Sequence, residues 1–216
     1  MTSASSFLKS YGRLAERLLR PIGQRDGVAM QEILKAEKRL GMTFPAILRG
    51  FYRFAGKLKG INQAHNHLLL PKELYVGGGK GLVFYAENQE VDYWAIRLED
   101  IKQNDPPVFQ TPDPAGPDWS LDTDHLSEFL VAMFYWQAVN GGLRYKGYAR
   151  IDGPTLRTIR QKWPLVKLTG YHLGDLQFFS RSGQVLCVSH NDLGVAARTK
   201  KDLAEITQNL SISLND

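Results

Sequence analysis

The sequence contains a single cysteine and no long apolar run. One cysteine among 216 residues excludes an internal disulfide framework and is typical of proteins from a reducing compartment. No apolar segment approaches the ~20 residues that a helix needs to cross a bilayer. Cys187 lies in the strand-like run 184–189, where no neighbour in sequence would lower its pKa, so we expect a buried, inert thiol and not a nucleophile. These features favour a cytoplasmic protein that does not associate with a membrane.

The sequence also lacks the residue patterns that mark common catalytic sites. It has no Gly-x-Ser-x-Gly motif and no nucleophile placed next to a base. The glycine-rich segment 77–81 departs from a phosphate-binding loop, because Leu74 stands where that loop requires glycine and Gly81 where it requires serine or threonine. A hairpin or an ordinary loop is the better interpretation. We therefore expect no enzymatic activity, no small-molecule substrate and no cofactor; an enzyme that uses unmarked carboxylates is the remaining alternative.

Two histidines come nearest to a metal site. His65 and His67 would point to one face of a possible strand, a geometry that can bind a metal ion. The other histidines (His125, His172 and His190) are remote in sequence, and no acidic residue or cysteine completes a ligand set nearby. We therefore expect polar surface residues here and no metal ligands.

The composition is ordinary for a chain that buries one hydrophobic core. Hydrophobic residues make up 43% of the sequence and charged residues 23%. Residues 3–20 are amphipathic and rich in serine and arginine, which is typical either of an organellar transit peptide or of a first helix that packs on the domain. We predict an N-terminal amphipathic helix within residues 1–24, packed on a single domain over residues 25–216. The apolar face of that helix consists of Phe7, Tyr11, Leu14 and Leu18.

The net charge of +5 conceals a strong segregation along the chain. Residues 1–60 carry 12 basic and 4 acidic side chains, residues 61–130 carry 4 and 12, and the remainder carries 11 and 6. If these segments fold onto different faces, the protein is electrically two-sided, and its pI of 9.3 is a poor guide to its partner. The alternative is that the charges mix over the folded surface.

Helical periodicity dominates the first third of the chain. It predicts a helix that stops at Gly41, followed by a helix over residues 46–55 that stops at Gly56. The most apolar helix is predicted over residues 124–139, where apolar side chains on nearly all sides indicate burial. Two shorter helices are predicted over residues 154–163 and 199–210.

Strand-like runs fill the middle and the last third. Residues 82–86 predict a strand buried on both faces, and a second strand is predicted over residues 91–96 after a polar break. Five prolines between Asn104 and Asp118 predict an extended connection with rigid turns. Further strands are predicted over residues 68–70, 165–168, 176–179, 184–189 and 195–197. Because helices flank this block at both ends, we predict an α+β fold with a central, mostly antiparallel or mixed sheet.

The order of several short motifs resembles the Smi1/Knr4 (SUKH) superfamily. The front of those domains is similar to the string Ile33-x3-Glu37-x2-Leu40-Gly41-x2-Phe44-Pro45-x2-Leu48-Arg49-x-Phe51-Tyr52. Later motifs of the superfamily resemble residues 69–74, residues 82–89 with Trp94, residues 105–108 and residues 126–130. The resemblance covers residues 28–140 well and continues loosely to residue 210.

This resemblance implies an α+β domain that binds another protein and has no enzymatic activity. Bacterial members commonly act as immunity proteins, which bind and block the toxin domain of a polymorphic or contact-dependent toxin system, often a basic nuclease. The basic net charge of this chain departs from that pattern, but its middle segment is acidic. We therefore expect a cognate toxin or another protein as the partner, steered by acidic residues on or beside the matched strands. These predicted partner-binding residues are Glu87, Glu90, Asp92, Glu99 and Asp100.

Two alternative functions stay open. The first is a regulatory or scaffold interaction protein without a toxin partner, because fungal relatives regulate cell-wall signalling and the same fold would serve. The second is a nucleic-acid binder that uses the basic N-terminal helices, although no recognised nucleic-acid module surrounds them. The arginines that would contact phosphates are Arg13, Arg17, Arg39 and Arg49.

Overall fold

The structure of the chain is a computed structural model that describes residues 3–172 and 175–215. Within these ranges it has seven α-helices and ten β-strands, and every strand pair is antiparallel. The predicted α+β class is confirmed, with the difference that the strands form two sheets instead of one. Residues 1, 2, 173, 174 and 216 of the predicted organisation lie outside the described ranges.

The elements alternate between helical and strand blocks. The helices are α1 (Ala4–Leu18), α2 (Met30–Leu40), α3 (Ala46–Ala55), α4 (Lys59–Asn62), α5 (Leu126–Gln137), α6 (Gly153–Lys162) and α7 (Lys200–Leu210). The strands are β1 (His67–Leu68), β2 (Tyr75–Gly77), β3 (Gly81–Ala86), β4 (Tyr93–Arg97), β5 (Val108–Thr111), β6 (Ser120–Thr123), β7 (Tyr145–Arg150), β8 (Gln177–Arg181), β9 (Gln184–Ser189) and β10 (Asp192–Ala197). None of the helices in the described ranges combines the length and apolar character that crossing a bilayer requires.

The first helix packs into the main core through its apolar face. The ring of Tyr11 meets Phe51 of α3 and Phe134 of α5 edge to face, with centroid distances of 5.1 and 5.5 Å. Helix α2 ends at Gly41, whose φ of 67° is a left-handed conformation that glycine adopts without strain. Helix α3 has the predicted bounds, with Gly56 as its C-terminal cap. The buried face of α1 consists of Phe7, Tyr11, Leu14, Ala15 and Leu18.

The first sheet has the strand order β1-β3-β4-β5-β6, and β2 also pairs with β3. All six residues of β3 are buried, which confirms the prediction of a strand covered on both faces. The glycine-rich segment makes the turn of the β2–β3 hairpin, as expected. Helix α5 packs on this sheet through Phe129, whose ring meets those of Phe84, Tyr85 and Trp94 at 5.4–5.8 Å.

The second sheet, ordered β7-β10-β9-β8, is buried on both faces and separates two cores. Because side chains alternate along a strand, Val185 and Cys187 of β9 face the main core, whereas Leu186 and Val188 face the smaller one. Helices α6 and α7 cover the smaller core. The main core joins both sheets to the N-terminal helices.

The strand predictions require several corrections, and they also lack the short strands β2 and β6. Residues 165–168 supply only an isolated bridge between Leu165 and Phe179. The proline-rich connection contains β5, since the flanking Pro107 and Pro112 lie just outside the strand and leave its amide groups free to pair. Strand β7 is absent from the sequence-based prediction because it is polar, as is common for a strand that pairs along only one edge.

Candidate partner-binding site

The structure divides the five predicted partner-binding acids between the two ends of β4. Glu87, Glu90 and Asp92 lie in the turn between β3 and β4, whereas Glu99 and Asp100 follow β4 at its other end. A strand of this length spans about 17 Å. The five residues therefore form two groups, and only the turn brings three of them together. We call residues 87–92 the hairpin tip.

The hairpin tip is a closed turn in which Glu90 is exposed and Glu87 and Asp92 are half-buried. The Glu87 amide donates to the carbonyl of Asp92 at 2.8 Å, and the Gln89 amide donates to Oε2 of Glu87 at 2.7 Å. Glu90 has a φ of 59°, which reverses the chain. Among the described residues, no lysine, arginine or histidine forms an ion pair with any of the three tip acids.

The other two predicted acids are already engaged within the chain. Oε1 of Glu99 lies 3.6 Å from Nη1 of Arg97. Oδ1 of Asp100 accepts a hydrogen bond of 2.7 Å from the side chain of Gln103. Of the predicted set, Glu99 is the one that forms an ion pair within the described ranges, whereas Asp100, like Glu87, accepts only a neutral hydrogen bond.

Exposed apolar surface adjoins the hairpin tip. Val91 is 57% exposed and Tyr75, on the neighbouring β2, is 38% exposed. Partial burial is the main cause that raises the pKa of Tyr75, and electrostatic interactions with Tyr93, Glu90 and Asp113 raise it further. Aromatic residues next to charged ones are typical of the surfaces through which proteins bind one another.

A cavity of about 290 Å³ opens beside the hairpin tip, between β4 and α5. Glu87 and Asp92 of the tip contribute to its lining, as do the indole rings of Trp94 and Trp136. The ring centroid of His65 lies 6.0 Å from that of Trp136. The cavity therefore combines two carboxylates with aromatic walls.

A buried glutamine fixes the backbone at one side of this cavity. Gln137, at the end of α5, accepts a hydrogen bond of 2.6 Å from the His65 amide through Oε1. Its Nε2 donates to the carbonyl of Asn66 at 2.5 Å and to the hydroxyl of Tyr85 at 2.8 Å. These bonds tie residues 65–66 to α5 and to β3, so this side of the cavity is preorganised.

Two polar atoms of the cavity lining are buried without a hydrogen-bond partner. Asn66 is only 3% exposed, and its Oδ1 contacts no donor among residues 3–172 and 175–215. The Nε1 atom of Trp136 is equally buried and has no acceptor within the same ranges. Buried polar groups are nearly always paired, so these two atoms are unusual; both are inaccessible to solvent and lie behind the wall of the cavity.

The two histidines near this cavity both reach the surface, since His67 is exposed and His65 is half-buried. Strand β1 begins only at His67, and Asn66 between the two histidines is buried. Burial is the main cause that lowers the pKa of His65, which favours its neutral form. In the part of the chain that the structure describes, no three His, Cys, Asp or Glu side chains are placed to hold a metal ion.

An aspartate behind the cavity positions one of its aromatic walls. Oδ2 of Asp122, on β6, accepts a hydrogen bond of 2.6 Å from Nε1 of Trp94. Asp122 is 1% exposed, and this burial raises its pKa to about 7, against the opposing effect of the Trp94 hydrogen bond. Sequence reasoning missed Asp122, Asn66 and Trp136 as site residues, because nothing in the local pattern distinguishes them from ordinary core or turn residues.

The arginines that a nucleic-acid binder would use mainly donate hydrogen bonds to other residues of the protein. Nη2 of Arg39 donates to the carbonyls of Pro71, Lys72 and Leu74, and both Nε and Nη2 of Arg49 contact Oε1 of Glu37. Arg17 donates to the hydroxyl of Tyr135 at 3.3 Å, and Arg13 to that of Ser10 at the same distance. These contacts count against a shared phosphate-binding surface.

Comparison with protein-family models, with the curated proteins and with the solved structures found no match. The resemblance to the Smi1/Knr4 superfamily therefore stays a prediction from motif order.

Proposed function

We propose that this protein is a non-catalytic, cytoplasmic binding protein whose hairpin tip engages a basic protein partner. We further propose that the partner is the toxin domain of a polymorphic or contact-dependent system, so that the chain acts as an immunity protein. The observation that carries the proposal is the group of three tip carboxylates, which lack ion-pair partners among the described residues and share their turn with the exposed Val91. The motif order supports the toxin as the kind of partner.

The distribution of ion pairs supports a partner of opposite charge. Within the described ranges, no salt bridge joins the basic residues 1–60 to the acidic residues 61–130. Glu32 and Glu37 of the first segment are instead paired with cations of that same segment. The acidic segment thus keeps its charge for long-range attraction, which accelerates association and favours basic partners.

Co-expression with candidate toxins from genes that neighbour this one tests the proposal. The wild-type chain is expected to restore growth and to co-purify with the toxin domain. The triple variant E87Q/E90Q/D92N should lose most of this protection, and its association rate should become nearly independent of salt concentration. The matched control E99Q/D100N removes two charges at the other end of β4 and should protect as the wild type does.

The outcomes separate the proposed function from its alternatives. Failure to protect against any neighbouring toxin, together with the absence of a complex, would overturn the proposal. Equal losses in the triple variant and in the control would move the interface away from the hairpin tip. A stable complex with a basic protein that is not a toxin would favour the regulatory alternative.

A further inference from the structure

The outer edge of β7 carries main-chain groups that the described part of the chain leaves largely unpaired. Strand β7 pairs with β10 through all six of its residues, so one row of its main-chain groups faces β10 and the other points away from the sheet. Two comparable edges are covered more fully, since residues 164–166 bond to β8 and residues 170–172 bond to β6 and its next residue. A row of unpaired N–H and C=O groups is a template for another strand.

Tyr148 shows which residues of β7 face outward. Its amide donates to the carbonyl of Asn215 at 2.9 Å, and its carbonyl accepts from the Asn215 amide at 2.8 Å. Because main-chain direction alternates along a strand, the amides and carbonyls of Lys146 and Arg150 point to the same side as those of Tyr148. Within residues 3–172 and 175–215, neither Lys146 nor Arg150 makes a main-chain hydrogen bond at this edge.

The C-terminal segment shows that this edge accepts a strand. Asn215 pairs with Tyr148 in antiparallel register, and Leu214 packs beside the smaller core. A Cβ atom on Gly147 would lie 2.8 Å from Cβ of Leu214, so the glycine allows the segment to approach β7 this closely. The pairing amounts to one bridge with its two hydrogen bonds, which a longer strand can replace.

The side chains on either side of Tyr148 make this edge basic. Lys146 and Arg150 are exposed and lie on the same face of β7 as Tyr148. Lys146 forms no ion pair with the described residues, and Arg150 has only an exposed contact of 3.6 Å with Asp192, which contributes little. Carboxylates on an added strand would therefore complement both cations.

The same charges disfavour a second copy of this chain as the added strand. Antiparallel pairing of two β7 strands about Tyr148 would place Lys146 of each copy opposite Arg150 of the other. Like charges directly opposite one another destabilise a strand pair. The edge thus rejects its own copy and favours a strand of opposite charge.

We infer that the outer edge of β7 binds an extended, acidic segment of a protein partner as an additional strand, in place of residues 214–215. The main-chain bonds supply affinity, and the carboxylates that face Lys146 and Arg150 supply specificity. Apolar residues between these carboxylates lie on the side of the smaller core, as Leu214 does. This surface belongs to the second sheet and the hairpin tip to the first, so the inference goes beyond the proposed function and does not depend on it.

A short blocked peptide tests this inference without the partner. The probe Ac-Glu-Leu-Asn-Leu-Glu-NH2 places its asparagine opposite Tyr148 and its glutamates opposite Arg150 and Lys146, in the register that Asn215 has now. One control peptide carries lysine in place of both glutamates. The other carries N-methylasparagine, which removes the amide that donates to the Tyr148 carbonyl. Titration into the full chain is followed by nitrogen–proton correlation spectra, and amide hydrogen exchange measures the protection of each residue.

The free protein and the complex should differ in the exchange of three amides. Without the probe, the Tyr148 amide should exchange more slowly than those of Lys146 and Arg150, which have no main-chain acceptor at this edge within the described ranges. The acidic probe should slow the exchange of Lys146 and Arg150 about tenfold when nine-tenths of the protein is bound. Each control peptide should bind about fivefold to tenfold more weakly, the ratio for loss of one hydrogen bond or of the charge pairing.

Variants of the C-terminal segment test whether it competes with the probe. N215P removes the amide that donates to Tyr148, so the edge is open more often and the probe should bind several-fold more tightly. N215A keeps that amide and should bind as the wild type does. The dispersion of the same spectra shows whether each variant is folded.

Variants of the cations test the sign of the charge. K146E/R150E should reject the acidic probe and bind the lysine peptide instead. K35E/K38E makes the same change in net charge on the exposed face of α2 and should still bind the acidic probe.

Three results would overturn the inference. The first is unchanged exchange of Lys146 and Arg150 at the highest concentration of the acidic probe. The second is equal binding of either control peptide. The third is protection of the same amides in N215P without any peptide, accompanied by a concentration-dependent dimer, which would assign the edge to a second copy. None of these results bears on the hairpin tip, which is tested by protection against the toxin.

Discussion

Trp94 and Asp122 form a buried donor–acceptor pair between β4 and β6. The Nε1 atom of the indole lies 2.6 Å from Oδ2 of the carboxyl group, whereas Oδ1 has no hydrogen-bond partner within the described ranges. Burial raises the pKa of Asp122 from 3.8 to about 7. The folded protein therefore holds a proton on this carboxyl group at pH values where an unfolded chain has lost it.

This proton makes the stability of the fold depend on pH. Since the pKa of Asp122 is higher in the folded state, its contribution to the free energy of unfolding is fully present below the pKa of the unfolded chain. This contribution is lost as the pH rises toward about 7. The slope is at most about 1.4 kcal/mol per pH unit. The variant D122N mimics the protonated form, keeps an acceptor for Trp94 and should remove that slope. The free energy of unfolding of D122N should therefore increasingly exceed that of the wild type between about pH 5 and pH 7.

Urea denaturation across this pH range measures the effect. The free energy of unfolding of the wild type should fall relative to that of D122N as the pH rises. Parallel profiles for the two proteins would show that Asp122 titrates normally, in conflict with its burial.

Glu37 is expected to hold the loop between α2 and α3 to the helices. Its Oε1 accepts from the amide of Phe44 at 2.7 Å and from Nη2 of Arg49 at 2.6 Å. The variant E37A should lower the free energy of unfolding by about 2–3 kcal/mol, because it leaves a buried amide without an acceptor and a half-buried arginine without its anion. Equilibrium unfolding in urea measures this loss.

A neighbouring ion pair on the same helix supplies the matched control. Glu32 contacts Nζ of Lys57 at 3.0 Å, but both side chains are largely exposed. E32A should therefore cost less than about 1 kcal/mol. Equal costs for E37A and E32A would mean that burial does not distinguish the two pairs.

Asp105 is expected to stabilise the start of α5 from outside the helix. Its Oδ1 accepts from the amide of Ser127 at 2.8 Å and its Oδ2 from the hydroxyl at 2.6 Å. D105A should cost about 1–2 kcal/mol, as the loss of a helix cap does. The exposed Asp118 lies in the same proline-rich connection, and D118A should change the stability by less than about 0.5 kcal/mol. Thermal unfolding measures the stability of both variants. A D105A variant as stable as the wild type would contradict the role assigned to Asp105.

Much of the fold could be predicted because the matched motifs stabilise local structure. Gly41 ends a helix by its left-handed conformation, Glu37 closes the next turn, and Asp105 caps α5. The effects of Gly41 and Glu37 act over a few residues and so leave a pattern in the sequence, whereas Asp105 reaches α5 across β5 and β6. Strand β5 escaped prediction because the prolines that flank it dominate its local pattern, although they lie outside the paired residues.

The candidate site could be predicted only in part, because its members are distant in sequence. Glu87 and Asp92 could be identified from the sequence, since acidic side chains in a turn form a local pattern. Asn66 and Trp136 meet at the cavity only through the packing of β1 and β3 against α5. Nor does the sequence indicate that Glu99 and Asp100 would lie at the far end of a strand and find partners within the chain. Long-range packing brings the other residues of the candidate site together, and local sequence patterns do not reveal it.

The thiol of Cys187 is expected to be unreactive in the folded protein. It is 6% exposed on the face of β9 that joins the main core, and burial raises the pKa of its thiol to about 12. Because the thiolate is the reactive form, the native protein at about pH 8 should react with a disulfide reagent roughly a thousandfold more slowly than the urea-unfolded chain does. The absorbance of the released thiol measures both rates, and the unfolded sample confirms that one thiol per chain is available. A native rate close to the unfolded one would mean that the interface between the second sheet and the main core opens readily, in conflict with the burial of Cys187.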